Sequence, residues 1–339
     1  MKRKANPLVS DDSIQAILEI ASAYRKSKIL LTACELDIFT HLGNESKTAK
    51  ELSILTDTNE KALTRLLNAL TVMNLLVKSG DKYSNTKGTR NFLVKGEPHY
   101  IGNLQFIAQL WYTWEHLTES VKIGTAALYK DIEDKDDCWI ESFVESQHHR
   151  SLLQAPDVIK LIDLSNVNSI LDLGCGSGLY SMEFLKIKPS LKVTAFDFPK
   201  VIKQTEKILG KEGFLEKIEL KGGNFFNDSI GKGYDLVFIS MVLHHFSLWE
   251  NIKLLETVYD ALNPGGMVII QDWILNKDTV TPASAALLSL NLLVNTKTGD
   301  VMTESEFYLI LREAWFRNIV RIDTEFGTSI IKANKMKMI

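Results

Sequence analysis

The chain has 339 residues, of which 45% are hydrophobic and 24% charged, ordinary proportions for a soluble globular protein long enough for two domains and a sizeable core. The net charge of −3 excludes a chain that binds nucleic acid electrostatically along its whole length. Its three cysteines show neither a disulfide framework nor metal-ligand spacing, and we find no signal peptide and no apolar run of membrane-spanning length. We therefore expect a cytoplasmic protein.

The first hundred residues favour a small helical domain. Apolar residues recur at helical spacing over 13–40, and two shorter helical patterns follow, the first opening at Thr48 with a capping-box sequence. Residues 75–84 are typical of a hairpin. Three helices and a hairpin predict a winged helix, a fold often used on DNA. Residues 1–100 hold 15 Lys and Arg against 11 Asp and Glu, a surplus too small to favour that use.

Residues 101–165 have a helical pattern that is rich in aromatic side chains. We expect most of these to pack two domains together, and some to line a pocket for a flat, apolar ligand. The aromatic residues are Phe106, Trp111, Tyr112, Trp114, Trp139 and Phe143. His148 and His149 are neighbours near the end of this segment and point in different directions on a helix, so we interpret neither as a metal ligand.

The rest of the chain alternates short apolar runs with helical patterns. Such alternation predicts an α/β domain whose mostly parallel sheet is covered by helices on both faces. In such sheets ligands bind beyond the carboxyl ends of the strands, so the residues there are the candidates for a site. The strands are predicted at 170–173, 192–196, 217–220, 234–240, 267–271 and 329–333, with a helix at 304–314.

The first of these strands ends in the sequence Asp-Leu-Gly-Cys-Gly-Ser-Gly. Its glycines, Gly174, Gly176 and Gly178, permit unusual φ angles and let a ligand approach the backbone closely. Asp172 lies at the strand end, and Asp197 ends the second strand at a distance suited to gripping a ribose diol. The G-x-G-x-G spacing differs from the G-x-G-x-x-G of dinucleotide-binding folds and argues against an NAD-dependent dehydrogenase.

The ends of the later strands carry polar and aromatic residues. A Gly-Gly-Asn-Phe-Phe sequence offers Asn224 and Phe225 for the edge and face of an adenine. The fourth strand ends at Ser240 and leads into a His-His-Phe sequence that begins at His244. Asp272 follows the fifth strand. These residues come together at one edge if the sheet is parallel.

The combined motifs resemble those of the plant-type O-methyltransferases. This branch of the class I S-adenosylmethionine-dependent methyltransferases includes caffeic acid, isoflavone and acetylserotonin enzymes and their bacterial relatives. The resemblance extends over about residues 13–333. It rests on the sequences at 171–178 (Leu-Asp-Leu-Gly-Cys-Gly-Ser-Gly), 223–226 (Gly-Asn-Phe-Phe), 243–246 (Leu-His-His-Phe) and 262–266 (Leu-Asn-Pro-Gly-Gly).

The resemblance implies an architecture and a cofactor. Residues 1–100 would be a winged-helix dimerisation domain, 101–165 a helical linker that contributes to the substrate pocket, and 166–339 a Rossmann-like domain with a seven-stranded, mostly parallel sheet. The protein would be a homodimer that uses S-adenosylmethionine, releases S-adenosylhomocysteine and needs no metal. Its partner would be a small aromatic or apolar acceptor, without nucleic acid, and the chain would have no membrane span.

The resemblance also implies roles for individual residues. His244 falls on the family's general base, and a neutral imidazole is well suited to accept a phenolic proton near neutral pH. Asp272 falls on the acid that orients this base, where the family usually has Glu. The backbone N–H groups of the glycine turn suit the methionine carboxylate. The cofactor-binding residues would be Asp172, Gly174, Gly176, Gly178, Asp197, Asn224, Phe225 and Ser240.

The chain departs from the family pattern around the base and the cofactor. Val301 stands at the position of a second acid, Met302 at that of the adjacent Arg, and Glu304 is the acid one helical turn away. Asn224 replaces the usual Asp of the adenine turn, and Ser240 stands where plant members often have Lys.

We therefore expect an O-methyltransferase that acts on a hydroxylated aromatic or other small apolar metabolite. The apolar segment 283–294, with Met241, Phe246 and Trp273, would in part face that acceptor. The alternatives are a C- or N-methyltransferase on the same scaffold and a winged-helix regulator with an S-adenosylmethionine-sensing domain. The acceptor itself stays unspecified, because pockets in this fold are built from variable apolar side chains.

Overall fold

A computed structural model of the chain describes residues 14–101 and 104–336. The chain divides into two compact units, with the boundary between Ala108 and Gln109. In the described ranges no helix is long and apolar enough to cross a membrane.

The N-terminal unit consists of short helices and a small sheet. Its strands form a three-stranded antiparallel sheet in the order β1-β3-β2. The elements are α1 (Ile14–Ser22), α2 (Tyr24–Glu35), α3 (Ile38–Leu42), β1 (Lys47–Thr48), α4 (Ala49–Leu55), α5 (Glu60–Val72), β2 (Leu76–Ser79), β3 (Lys82–Asn85) and α6 (Lys87–Leu93), and α7 (Leu104–Trp114) spans the boundary.

Local sequence signals account for most of this unit. The capping box predicted at Thr48 is present: its side chain accepts the Glu51 N–H, and the Glu51 carboxylate accepts the Thr48 N–H. Leu63, Leu67 and Leu70 of α5 are buried along one stripe at helical spacing. The single helix predicted over 13–40 is wrong, because the chain forms three helices there. One interruption is Asp37, whose φ of +51° is left-handed, a conformation that Asp tolerates better than most residues.

The C-terminal unit is an α/β domain around a seven-stranded sheet of order β6-β5-β4-β7-β8-β10-β9. Strands β4 to β8 run parallel, and β10 is antiparallel to both β8 and β9. The elements are α8 (Leu117–Ile123), α9 (Asp137–Leu152), α10 (Ala155–Lys160), β4 (Ser169–Leu173), α11 (Leu179–Ile187), β5 (Lys192–Asp197), α12 (Pro199–Glu212), β6 (Ile218–Gly222), β7 (Tyr234–Ser240), α13 (Leu248–Ala261), β8 (Leu262–Asp272), α14 (Ala283–Asn295), α15 (Glu304–Glu313), β9 (Arg317–Asp323) and β10 (Ser329–Asn334).

The sheet is buried on both faces, as its apolar strands predict. Leu236 and Phe238 of β7 belong to one cluster of buried side chains, and Val237 and Ile239 to the other. Strand β9 is not predicted from the sequence, because its Arg-Asn-Ile-Val-Arg-Ile-Asp stretch is polar and only half-buried at the edge of the sheet.

Strand register brings the predicted site positions to one edge. Asp172 of β4 is paired with Ala195 of β5, so both strands end at the same level. Ser240 of β7 is paired with Gln271, which directly precedes Asp272 at the end of β8. The carboxyl ends of four neighbouring parallel strands therefore form one site-bearing edge.

Candidate active site

The glycine turn lies between β4 and α11 and adopts a backbone that requires glycine. Gly174, Gly176 and Gly178 have φ angles of +78°, +54° and +75°. A Cβ on Gly174 would lie 2.3 Å from Val242 Cγ2, so the turn packs directly against the segment that follows β7. A Cβ on Gly176 would meet open space, which leaves this part of the backbone free for a ligand to approach.

The N–H groups of this turn are already bonded within the protein. Gly174 N and Cys175 N donate to Phe196 O at 2.8 and 3.2 Å, and Gly176 N donates to Asp197 Oδ2 at 2.8 Å. Those three amides therefore already have acceptors within the protein, and the expectation that the N–H groups of the turn suit a methionine carboxylate stays a prediction. The turn is a pre-formed structure that is braced by the end of β5.

Two buried carboxylates lie beneath the turn. Asp197 accepts from Gly176 N and Phe198 N, and burial raises the pKa of its carboxyl to about 6, against the effect of those two hydrogen bonds. Asp172 accepts from the Ser181 hydroxyl at 2.7 Å. Burial raises its pKa to about 7, Ser181 lowers it, and Asp197 raises it further. This edge of the sheet can hold negative charge, and a cationic ligand would stabilise it.

The turn after β6 places an aromatic side chain between the β5 end and the segment after β7. Asn224 Oδ1 accepts from Phe226 N at 3.0 Å, so its side chain shapes the turn. Phe225 is buried, and its ring centroid lies 4.8 Å from that of Phe198 and 6.4 Å from that of Phe246. Phe225 therefore connects the predicted adenine turn to the predicted base turn.

Ser240 belongs to a buried polar network that sequence reasoning missed. Its hydroxyl and that of Tyr180 both donate to Gln271 Oε1, at 3.1 and 2.6 Å. The Gln271 amide lies 3.3 Å from acceptors on Gln154 and Thr328. The available signal was a glutamine inside the apolar run of β8, since a buried polar side chain requires partners.

His244 and Asp272 are in direct contact. His244 lies in a short 3₁₀ turn, Leu243–His245, between β7 and α13, and its Nδ1 is 2.6 Å from Asp272 Oδ1. Both side chains are almost fully buried. Asp272, although one methylene shorter than the usual Glu, thus contacts the His244 ring directly. Its Oδ1 also accepts from Trp273 N, whereas Oδ2 is buried and has no partner in the described parts of the chain.

The turn that carries His244 is held from two sides. The buried Asn251 of α13 donates through Nδ2 to Leu243 O at 2.9 Å and to Phe246 O at 3.2 Å. A Cβ on Gly299 would lie 2.5 Å from His244 O, so the chain after α14 presses on the same turn. Neither residue was predicted, because Asn251 bonds backbone carbonyl groups that carry no side-chain pattern, and Gly299 contacts the turn from a distant segment.

The remaining predicted neighbours of the base are apolar or bonded elsewhere. Val301 is buried in an apolar cluster with Leu275 and Leu292. Glu304 Oε2 lies 3.5 Å from Arg321 on β9. His245 stacks obliquely on His244, with ring centroids 4.4 Å apart. Burial, and to a smaller extent the adjacent His244, holds the pKa of His245 well below its usual range. Asp272 is thus the acid that contacts the His244 ring.

Residues 14–101 and 104–336 contain no group of three or more His, Cys, Asp or Glu side chains arranged to hold a metal ion. The polar groups at the sheet edge are instead suited to a cofactor bound over the glycine turn and to proton transfer at His244. The sheet thus carries a glycine turn after β4, His244 after the neighbouring β7 and Asp272 at the end of β8, an arrangement typical of a cofactor-binding α/β domain.

Comparison with known proteins assigns the family. A family model described as the O-methyltransferase domain matches residues 114–317, and one described as the O-methyltransferase dimerisation domain matches residues 18–95. Together they cover most of the chain. The protein belongs to the O-methyltransferase family.

Individual relatives support the assignment. The chain is 32% identical over 308 residues to a 3-hydroxy-5-methyl-1-naphthoate 3-O-methyltransferase from Streptomyces sahachiroi, covering 88% of each chain. It is 29% identical to acetylserotonin O-methyltransferase from Gallus gallus, covering 91% of this chain and 93% of that one. The fold matches the structure of human N-acetylserotonin methyltransferase in complex with SAM with a TM-score of 0.84 at 24% identity, over 96% and 99% of the two chains.

The protein is therefore an S-adenosylmethionine-dependent O-methyltransferase of small-molecule metabolites. The site fits this cofactor on its own geometry, since the open backbone at Gly176 lies beside the buried Asp197 at the end of β5.

Proposed function

We propose that this enzyme transfers a methyl group to a hydroxyl of a small aromatic or apolar metabolite, with His244 as the general base and Asp272 as its orienting acid. The observation that carries the proposal is the 2.6 Å contact between His244 Nδ1 and Asp272 Oδ1. A carboxylate at Nδ1 favours the tautomer with the proton on Nδ1, which leaves the lone pair of Nε2 to accept the hydroxyl proton.

The His244–Asp272 pair can balance the charges that develop during methyl transfer. The sulfonium of the bound cofactor supplies an already activated methyl group. The cofactor would give up this methyl group by cleavage of its S–C bond and leave as the neutral thioether S-adenosylhomocysteine. The charge left to balance is the acceptor hydroxyl proton, which His244 Nε2 would take, so that the ring would become a cation. The adjacent Asp272 carboxylate stabilises this cation in a site from which water is largely excluded.

The substrate class is supported by the apolar surroundings of the base. Trp273 and Leu288 belong with Val301 to one apolar cluster that includes α14. Phe246 is half-buried beside Phe226, with ring centroids 4.9 Å apart. The names of the Streptomyces sahachiroi and acetylserotonin relatives specify aromatic acceptors. An aromatic hydroxyl compound is thus the best-supported acceptor class.

We assign the cofactor to the glycine turn and its neighbours. Asp197 would hold the ribose, Asn224 and Phe225 the adenine, and the buried Asp172 would supply negative charge under the turn. Gly174, Gly176 and Gly178 would give the backbone its close approach, and Ser240 would complete the site beside Gln271. The support is that all of these lie at the ends of β4, β5, β6 and β7 at one edge of the sheet.

We further propose the domain organisation 1–100, 101–165 and 166–339, with the first segment acting as a winged helix that forms a homodimer. The match of residues 18–95 to an O-methyltransferase dimerisation domain supports the dimer. The helices and β2–β3 hairpin of the N-terminal unit support the winged helix. A cytoplasmic location stays a prediction from composition.

The test is a product analysis with matched acceptors. Wild-type enzyme, His244→Gln and the control His149→Gln are incubated with S-adenosylmethionine and either 3-hydroxy-5-methyl-1-naphthoate or N-acetylserotonin, and products are identified by mass spectrometry. We expect an O-methyl ether with the wild type and the control, and at least 100-fold less with His244→Gln. Equal rates in all three enzymes would remove His244 from the mechanism.

Methylation of an amine nitrogen is the second candidate. The observation that favours it is a relative from Streptomyces rimosus, 25% identical and covering 97% of this chain and 98% of that one, that is described as an N,N-dimethyltransferase. The 3-amino analogue of the naphthoate, added to the same assay, distinguishes the two. Methylation of the amine in preference to the hydroxyl would favour the second candidate.

A further inference from the structure

A histidine outside the predicted site contacts the glycine turn. His148 is in the last turns of α9, and its Nδ1 lies 3.0 Å from Ser177 Oγ. Ser177 stands between Gly176 and Gly178 and is 4% exposed. The contact joins residues 29 apart in the sequence, within the C-terminal unit. The sequence pattern had suggested no role for this histidine.

The glycine turn itself offers few free donors. Gly174 N, Cys175 N, Gly176 N and Gly178 N all donate to acceptors of the protein. The buried carboxyl groups of Asp172 and Asp197 lie beneath it and, when ionised, offer an incoming carboxylate no donor. A zwitterionic amino-acid group that binds here therefore needs donors from side chains rather than from these amides.

His148 and Ser177 together provide such a donor whichever way the hydrogen bond between them is directed. If Nδ1–H donates to Ser177 Oγ, the Ser177 hydroxyl hydrogen is available and Nε2 can accept from an ammonium. If the Ser177 hydroxyl donates to Nδ1, then Nε2–H is the available donor. The pair can thus serve a carboxylate in either arrangement, and in the first it can serve both charged groups of an amino acid.

The surroundings favour a neutral ring that can take either arrangement. Burial and the neighbouring His149 lower the pKa of His148, and Glu212 of α12 opposes them. His149 itself faces elsewhere, because its Nδ1 lies 2.8 Å from Glu145 O of its own helix. The two neighbouring histidines therefore make a matched pair for a test.

We propose that His148 and Ser177 bind the amino-acid end of S-adenosylmethionine, with its carboxylate as the principal partner. The helix α9 then contributes a cofactor-binding side chain to a turn whose own amides are engaged. This inference rests on the cofactor of the family and does not depend on the assignment of His244 as the base.

Two ligands separate this role from a purely structural one. S-adenosylhomocysteine carries the amino-acid group, whereas 5′-methylthioadenosine has the same adenosine and thioether sulfur without it. Each is titrated by calorimetry into wild-type protein, His148→Phe, Ser177→Ala and the control His149→Phe. Ser177→Ala removes one member of the pair while leaving α9 unchanged, so the test does not depend on one variant that folds poorly.

We expect His148→Phe and Ser177→Ala to weaken the binding of S-adenosylhomocysteine about 10-fold or more, which is the effect of losing a hydrogen bond to a charged group. The binding of 5′-methylthioadenosine should weaken less than about twofold, because it lacks that group. His149→Phe should leave both affinities within twofold of wild type. Equal losses for the two ligands, or no loss for either, would overturn the proposal. Failure of wild-type protein to bind S-adenosylhomocysteine would instead contradict the cofactor assignment.

Discussion

Asp272 holds the His244 ring through one carboxylate oxygen, and its other oxygen is buried with no partner in the residues that the structure describes. A buried carboxylate with one oxygen unpartnered is costly unless it serves another group. Stabilisation of a cationic His244 ring during proton transfer provides that use. The position of the family's second acid is occupied by the buried Val301, so the proposed mechanism depends on this one carboxylate.

Asp272→Asn tests that dependence. The amide keeps the size of the side chain but removes its charge and can present a donor to Nδ1, which favours the wrong tautomer. We expect kcat to fall by about 100-fold, because both the orientation and the charge stabilisation are lost. Affinity for S-adenosylhomocysteine should stay within twofold in calorimetry. Unchanged kcat with folded protein would show that the acid has no part in the reaction.

Asp172 predicts a pH dependence of stability. Its folded-state pKa of about 7 lies above the ordinary value of 3.8, so between these pH values the folded protein binds more protons than the unfolded one. The free energy of unfolding therefore falls as pH rises through this window. Asp172→Asn removes the buried charge and should stabilise the cofactor-free protein at pH 8 by about 1–3 kcal/mol, with little effect near pH 4.

The measurement is thermal unfolding of both proteins at the two pH values, with Asp260→Asn, an exposed position on α13, as control. A stabilisation of the same size at both pH values would rule out ionisation of Asp172 as its source. Loss of stability at pH 8 would show that the charged form is favoured in the fold.

Individual residues also differ in whether their place in the site can be predicted from the sequence. Glycine spacing and strand ends are local signals, and they single out Gly174, His244 and Asp272 as candidates. The roles of Tyr180 and His148 are not predicted, because each acts through a partner that folding brings near, such as Ser177 for His148. A hydrogen bond between distant segments leaves no periodicity to detect.

At the scale of elements, the turn between β7 and α13 carries the proposed base, His244. Asn251 holds its carbonyl groups from the helix side, and Gly299 closes against it from the loop after α14. Because the base is carried on this turn, a small displacement moves Nε2 relative to the acceptor. Positioning errors of about 1 Å can cost about 100-fold in rate.

Gly299→Ala should displace the turn. Its Cβ would lie 2.5 Å from His244 O and 2.7 Å from Thr296 Oγ1, so the backbone must shift. We expect a fall in kcat of about 10-fold or more and a loss of about 1–3 kcal/mol in the free energy of unfolding. The matched control is Gly210→Ala, where a Cβ meets nothing within 4 Å and a helical position should gain about 0.5–1 kcal/mol. Wild-type kcat in Gly299→Ala would contradict the positioning argument.

Element prediction succeeded where periodicity is strong and failed where context decides. The strands β4, β5 and β7 were found because they are apolar runs that end in turn residues. Strand β8 starts five residues earlier than predicted, at Leu262. Its pairing with β7 passes from Leu262 directly to Met267, so the Asn-Pro-Gly-Gly sequence between them is an irregularity of the strand, with Gly265 at a φ of +81°.

At the scale of the whole molecule, the alternation of strands and helices predicted the parallel sheet but not the antiparallel pair of β9 and β10 at its edge. The N-terminal unit presents a different feature. None of the residues of α1 is buried, although the helix is rich in apolar side chains. Its Ile14, Ile17 and Ile20 are 77%, 65% and 58% exposed. Such a face favours a protein interface, and this unit matches a dimerisation domain.

The double variant Ile17→Glu/Ile20→Glu should therefore weaken the dimer. Two charges on the apolar face of α1 would have to be buried without partners, so we expect the wild type to sediment as a dimer and the variant as a monomer at the same micromolar concentration. Analytical ultracentrifugation measures this, with Ile187→Glu, half-exposed on α11, as control. A variant that remains dimeric would exclude α1 from the interface.

The most direct test of the central claim compares acceptors that differ only in the acidity of their hydroxyl. The rate of methyl transfer is measured for wild type and His244→Gln with 3-hydroxy-5-methyl-1-naphthoate and with a ring-fluorinated analogue whose hydroxyl is ionised at the assay pH. If His244 is the base, its loss should slow methylation of the parent compound by about 100-fold. Methylation of the ionised analogue should slow less than about threefold, because that analogue has no proton to transfer. An equal loss for both acceptors, or no loss for either, would contradict the assignment of His244 as the general base.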